Sequence, residues 1–256
     1  MASSTLPPPP LTYLEFHLAF TLPVLVALAL LQGRTREPWW PLALITGIAF
    51  VYTTPWDNYL VANEVWTYPP DRVWATVGYV PVEEYAFFVI ETLMVGLLVR
   101  LLQARWPARP APPNRTARVV GTAVFAAFAA VGVACLVAGG RWLYLGLILA
   151  WAFPILALMW GIGGHLIWAR RRLVAWAVGP ASLYLWAVDR YAIADGIWDI
   201  TDATRTGWEI AGLPVEEALF FTTTALLVAQ GLVMLERDAL PETVGKLSRR
   251  RPAVAA

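Results

Sequence analysis

The chain has 256 residues, of which 59% are hydrophobic and only 14% charged, against about 25% charged in an average soluble domain, so it reads as a membrane protein. A net charge of +1, with no basic patch on a polar domain, argues against nucleic acid as a partner. The single cysteine, Cys135, excludes a disulfide framework and a thiolate metal site, and two separated histidines, His17 and His165, make no metal site either.

A membrane-spanning helix needs about 20 mostly apolar residues. Seven stretches approach that length: 11–31, 39–54, 82–102, 117–138, 142–161, 173–187 and 213–235. The first follows Pro7 to Pro10 with no basic segment before it and no small-residue cleavage site, which predicts a retained span rather than a signal peptide. The second and sixth are short, and each runs directly into an Asp that is expected to close it. Counting Lys and Arg by side gives 4 (Arg72, Arg141, Arg190, Arg205) against 15. Because cytoplasmic loops collect positive charge, this split predicts seven spans, an extracytoplasmic N-terminus and a cytoplasmic C-terminus.

One pattern is written twice. Asp57-Asn58-Tyr59, Asn63 and Trp66 are followed by Pro81-Val82-Glu83-Glu84-Tyr85-Ala86-Phe87-Phe88. Asp189-Arg190-Tyr191, Asp195 and Trp198 repeat the opening 132 positions later, and Pro214-Val215-Glu216-Glu217-Ala218-Leu219-Phe220-Phe221 repeats the close after 133. Six of the eight positions in the octets are identical. The expected fold is therefore an all-α integral membrane protein of about seven transmembrane helices. It contains a parallel internal repeat of three helices, with the fourth as connector: 1–104 as the first half, 105–141 as basic linker and fourth span, 142–236 as the second half, and 237–256 as a mobile cytoplasmic tail.

Acids at a membrane edge or inside it are costly and mark a functional interior by default. The plainer reading is a helix start, since proline suits the first turn and the macrodipole favours an anion there; that accounts for one glutamate but not for a doubled acid written twice. Glu84, Phe88 and Glu91 share one helix face, whereas Glu83 points about 100° away with Phe87, so one glutamate of each pair is expected to face a cavity. Glu91, with Thr224 at the matching offset, is open between proton relay and hydrogen-bonded structural acid. Clustered, desolvated carboxyls favour the protonated form, which supplies a general acid beside a neighbouring base. Trp56, Tyr59, Trp66, Phe87, Phe88, Tyr191, Trp198, Phe220 and Phe221 offer ring faces that stabilise cations, while Trp39, Trp40, Trp106 and Trp168 read as interfacial belts. Gly161-Ile162-Gly163-Gly164 is no dinucleotide fingerprint, and the one lysine, Lys246, lies beyond the last span, where no retinal Schiff base could form.

The paired octets, each preceded by Asp-x-Tyr and Trp, resemble the integral-membrane lycopene cyclase family of bacteria, archaea and fungi, in its fused form, over about residues 13–235. The resemblance implies a lycopene β-cyclase of carotenoid biosynthesis, an intramolecular lyase or isomerase that works without cofactor. It also implies lycopene or a related acyclic carotenoid as substrate, membrane lipid as surroundings, and no obligate second subunit. Acid and base would come from Glu83, Glu84, Glu216 and Glu217, tuned by Asp57 and Asp189, with Asn63 and Asp195 hydrogen-bonding the set. Arg190, where the first copy has Asn58, would hold one acid ionised by pairing. Two other functions compete on the residues alone. They are a C50-type carotenoid cyclase or hydratase, and a proton-coupled transporter with acids at a repeat interface.

Overall fold

The computed structural model describes residues 10–32, 37–107 and 111–236. The expected tail at 237–256 and the basic residues Arg34, Arg36 and Arg109 lie outside them. Seven helices cover most of the described residues: α1 Tyr13–Leu30, α2 Trp40–Ala62, α3 Val82–Arg105, α4 Arg115–Ala138, α5 Leu143–Ala169, α6 Arg171–Asp195 and α7 Val215–Met234. Five of them, α1, α3, α4, α5 and α7, are long and apolar enough to cross a membrane. Helices α2 and α6 have comparable length.

Local chemistry sets the ends. Thr12 and Glu15 form a reciprocal capping box at the start of α1, which satisfies amides that the first turn leaves open. Asn114 caps α4 by accepting from the Ala117 amide at 2.9 Å. Gly196 ends α6 in the left-handed conformation, φ 72°, where a residue without Cβ carries no steric cost. Pro81 and Pro214 stand at the N-cap of α3 and α7 rather than inside the first turn.

Asp57 and Asp189 do not close their helices as expected from the sequence. Helix α2 continues from Asp57 to Ala62 and α6 from Asp189 to Asp195. Both acids are buried in the bundle, so each helix goes on past its acid to the loop. Helix α5 likewise runs beyond 161 to Ala169, across a local break at Gly163 (φ −120°, ψ 16°).

The α2–α3 and α6–α7 loops meet over one end of the bundle. Strand β1 (Trp66–Thr67) pairs antiparallel with β4 (Asp199–Ile200), joining the two loops. Two hairpins flank this ladder, β2 (Thr76–Val77) with β3 (Val80–Pro81) and β5 (Glu209–Ile210) with β6 (Leu213–Pro214). Contacts recur at nearly constant offset. The Tyr13 amide bonds the Arg72 carbonyl at 2.8 Å, and the Tyr144 amide bonds Thr204 at 3.0 Å; Val82 bonds Ala75 and Val215 bonds Trp208, both at 2.9 Å. Tyr52 donates to the Trp151 carbonyl and Tyr184 to Phe20, again both at 2.9 Å.

Helices α4 and α5 approach through glycines. A Cβ at Gly132 would meet the Ala150 amide nitrogen at 2.6 Å, and one at Gly146 would meet the Leu136 nitrogen at 2.8 Å. Small residues permit such backbone contact between membrane helices. Gly132→Val is expected to force α4 from α5 and cost about 1–3 kcal/mol as an overpacking strain; thermal unfolding in detergent should show a lowered midpoint, and an unchanged midpoint would contradict the close packing.

Candidate active site

The loop ladder roofs a small chamber lined by Tyr13, Trp66, Tyr68, Glu84, Phe87, Asp189, Trp198, Glu217, Phe220 and Phe221, with room of about 20 Å³. Helices α3 and α7 each bring their acids in at the first turn, where the positive end of the macrodipole lowers the cost of a buried carboxylate.

The doubled glutamates divide. Glu84 accepts from the Tyr13 hydroxyl at 2.5 Å and from Tyr68 at 3.0 Å, both on Oε2. Glu217 accepts from Tyr144 at 2.5 Å and from the Trp66 indole at 3.3 Å, both on Oε1. Glu83 and Glu216 turn instead to the loops, where Oε1 accepts the Trp74 amide and the Thr206 amide, each at 2.7 Å. Consecutive helical residues diverge by about 100°, so the first glutamate of each pair fastens its own loop and the second enters the chamber.

Asp189 lines the chamber beside Glu217 and accepts one bond, from the Trp198 indole at 3.0 Å; its Oδ2 has no partner. Asp57 is fully buried behind the chamber, and neither of its oxygens has a partner. It lies within electrostatic range of Glu84, and Asp189 within range of both glutamates. None of the four forms an ion pair with a described Lys, Arg or His. Tyr68 stands in the loop above Glu84. Burial, followed by the negative charge of Glu84, pushes its phenol well above the usual range, so at neutral pH it remains a donor.

Aromatic faces enclose the acids. Phe220 stacks on Trp56 at 5.5 Å and Trp56 on Trp151 at 4.5 Å. Phe87 meets Phe221 edge-on at 5.9 Å, and Tyr13 lies 4.9 Å from Trp198. Phe88 is also buried, but it lines a second space, an apolar cleft of about 290 Å³ between α2, α3, α5 and α7. Glu91 lies in that cleft and accepts from the Thr224 hydroxyl at 2.5 Å.

Several expected partners stand elsewhere. Asn63 is exposed and bonds the Tyr59 carbonyl at 2.7 Å, and Asp195 accepts the Leu11 amide at 2.8 Å; neither bonds the carboxylates, because both follow the buried turn and point to the loop side. Tyr59 and Tyr191 are turned outward, Tyr191 packing on Phe20 at 5.0 Å. Arg190 is exposed and forms no ion pair with a described carboxylate; its guanidinium lies by Gly212 instead. Sequence reasoning missed Tyr13, Tyr68 and Tyr144. A signal existed for two of them: Tyr13-Leu14 with Leu18-Ala19, and Tyr144-Leu145 with Leu149-Ala150, share one spacing. Tyr68 has no such echo, because Ile200 stands at its offset. His17, set aside as a metal ligand, is buried with its ring nitrogens 3.0 Å from the Glu83 carbonyl and the Thr21 hydroxyl.

Buried carboxyls with no ion-pair partner among the described residues, beside aromatic rings in an apolar helical bundle, mark a membrane protein with a sheltered acidic site. The comparisons narrow the class. The lycopene cyclase family model matches residues 11–102 and 141–233, and the chain belongs to that family. A lycopene beta-cyclase of Halobacterium salinarum is 40% identical over 229 residues, covering 87% of this chain and 95% of that protein. Bifunctional lycopene cyclase/phytoene synthases of Gibberella fujikuroi and Phycomyces blakesleeanus are 34% and 38% identical over 90% and 82% of this chain, but only 42% and 37% of their own length. No solved structure matches it.

The division of the glutamates is directly testable. Glu216→Ala should leave the buried Thr206 amide without its acceptor and cost about 1–3 kcal/mol, as an unsatisfied buried donor does, with faster proteolysis of the α6–α7 loop. Glu217→Gln should leave that loop's proteolysis unchanged; equal sensitivity of both variants would contradict the assignment.

Proposed function

We propose that this chain is a lycopene β-cyclase that acts on acyclic carotenoid end groups by acid–base chemistry alone. The observation that carries this reading is a chamber in which Glu84, Glu217 and Asp189 share one apolar, ring-lined space with no paired cation. Three carboxyls so placed, with Asp57 within electrostatic range of Glu84, cannot all be charged at once, since like charges in a low-dielectric surrounding repel. The protons they share are what the reaction needs.

A proton passes to the terminal double bond of the ψ-end and leaves a tertiary carbocation. An internal double bond closes on that cation, forming the ring bond and moving the positive charge into the ring. A carboxylate then removes a ring proton to leave the β-ring double bond, so the product is an isomer and the enzyme's proton is restored. Asp189, with a single donor and a free Oδ2, is the proton source. Glu84 and Glu217, each accepting two hydrogen bonds, are the anions that face the cation, recover the proton and return it within the chamber to Asp189. Asp57 acts through Glu84. The faces of Trp66, Phe87, Trp198, Phe220 and Phe221 stabilise the cation by several tenths to about 2 kcal/mol each where they meet it desolvated.

The contacts recurring at offsets of 131 to 133, and a family match in two blocks, support two three-helix halves, 1–104 and 142–236, related as a parallel repeat with α4 between them. The Lys and Arg excess at the end opposite the carboxylates supports seven spans with the N-terminus outside and the C-terminus inside. Fusion of both halves in one chain supports activity without a second subunit.

Expression of this chain in lycopene-accumulating cells should convert lycopene to monocyclic and bicyclic β-ring products on pigment chromatography. Asp189→Asn, Glu84→Gln and Glu217→Gln should each lower turnover by about 100-fold or more, the lower range for a lost general acid or base, while the protein stays inserted. Lycopene left unchanged by folded wild-type protein would refute the reading and favour transport, whereas capture of longer C50-type carotenoids would shift the substrate.

A further inference from the structure

The carboxylate chamber, at about 20 Å³, holds no more than a small group, and the chain of any carotenoid must lie outside it. The cleft between α2, α3, α5 and α7 has room of about 290 Å³ and meets the chamber at one side chain. Phe220 lines both spaces. From Phe220 the cleft follows α7 to Leu235, which at 1.5 Å per residue is about 22 Å, most of the roughly 30 Å hydrocarbon thickness of a bilayer. Apart from Glu91, bonded to Thr224, and a few hydroxyls, its walls are hydrocarbon, as an extended apolar chain requires.

The positions that correspond to the cleft in the other motif copy are packed. Subtracting 133 from the cleft's α7 positions, and adding 132 to its α2 positions, leads from Val228 to Val95, from Ile45 to Ala177 and from Ala49 to Ala181. Val95 and Ala177 are fully buried in one packed cluster, with Leu25, Leu28 and Ala181 against it. Phe87, at the place corresponding to Phe220, is backed by His17 at a ring distance of 5.8 Å, whereas Ile148 stands at the matching position behind Phe220. The two halves therefore bring acids to one chamber, and one cleft leads to it.

We infer that this cleft is the seat of the conjugated chain of the substrate, that Phe220 is the partition between that chain and the carboxylates, and that the two ends of one carotenoid are cyclised in separate binding events. This rests on the cyclase reading for the identity of the occupant. The chain lies with one end group at Phe220, against the chamber's carboxyls, and the monocyclic product withdraws and returns reversed. The requirement is steric, since a stiff conjugated chain lying along one cleft presents one end to the carboxyls at a time.

The inference is tested with Ala49→Trp, which fills the cleft wall, Ile155→Trp as a second wall position should the first not fold, and Val131→Trp on the outer face of α4 as control. Lycopene retained by purified protein is read from its visible absorbance, and products are followed in time under excess lycopene. Expected are a tenfold or greater loss of retained pigment and of cyclisation in the cleft variants with unchanged melting, wild-type behaviour in the control, and free monocyclic product preceding bicyclic product. Cleft variants that retain pigment like wild type, or bicyclic product with no free monocyclic stage, would overturn it. A wild-type protein that retains lycopene in the cleft without cyclising it would sink the cyclase reading and leave the cleft assignment standing.

Discussion

Everything in this molecule depends on keeping carboxyl groups inside an apolar bundle with no neutralising cation among the described residues. A bare carboxylate taken from water into such surroundings is penalised by several kcal/mol even after relaxation. The structure offsets that cost with neutral donors: Tyr13 and Tyr68 on Glu84, Tyr144 and Trp66 on Glu217, Trp198 on Asp189. An arginine in their place would tie up the acid and repel a carbocation, whereas phenol and indole bring a donor on an apolar ring. The same residue types therefore solve the folding problem and furnish the walls that the proposed chemistry needs.

The loops follow from that constraint. Trp66 belongs to the α2–α3 loop but donates to a glutamate on α7, so the β1–β4 ladder that joins the loops also holds a donor across the chamber. Glu83 and Glu216 anchor the same loops from below. Roof and floor are fastened by adjacent residues of one helix turn, which couples closure of the chamber to the aim of its acids.

The two copies of the sequence motif share contacts that set the architecture and differ at several positions near the carboxyls. Matching residues carry the helix-to-loop bonds and the tyrosine straps between helices. Tyr68 corresponds to Ile200, His17 to Ile148 and Glu91 to Thr224 across the offset; Tyr68 lines the chamber, Glu91 and Thr224 line the cleft, and His17 packs on Phe87.

The residue order by itself determined the apolar helical class, the near positions of seven helices and the paired Pro-Val-Glu-Glu-x-x-Phe-Phe stretches, because periodicity, length and macrodipole preference are local. It also indicated that the two glutamates of each pair face different ways, since helical rotation is local too. Only tertiary structure decided that α2 and α6 run past Asp57 and Asp189, that Asn63 bonds its own helix, Asp195 bonds the Leu11 amide and Arg190 lies by Gly212, and that Tyr13, Tyr68 and Tyr144 hold the acids. Those outcomes depend on which donors arrive from residues 16 to 151 positions away, and the cost of burying a charge is settled by such distant neighbours rather than by the residues beside it in the chain.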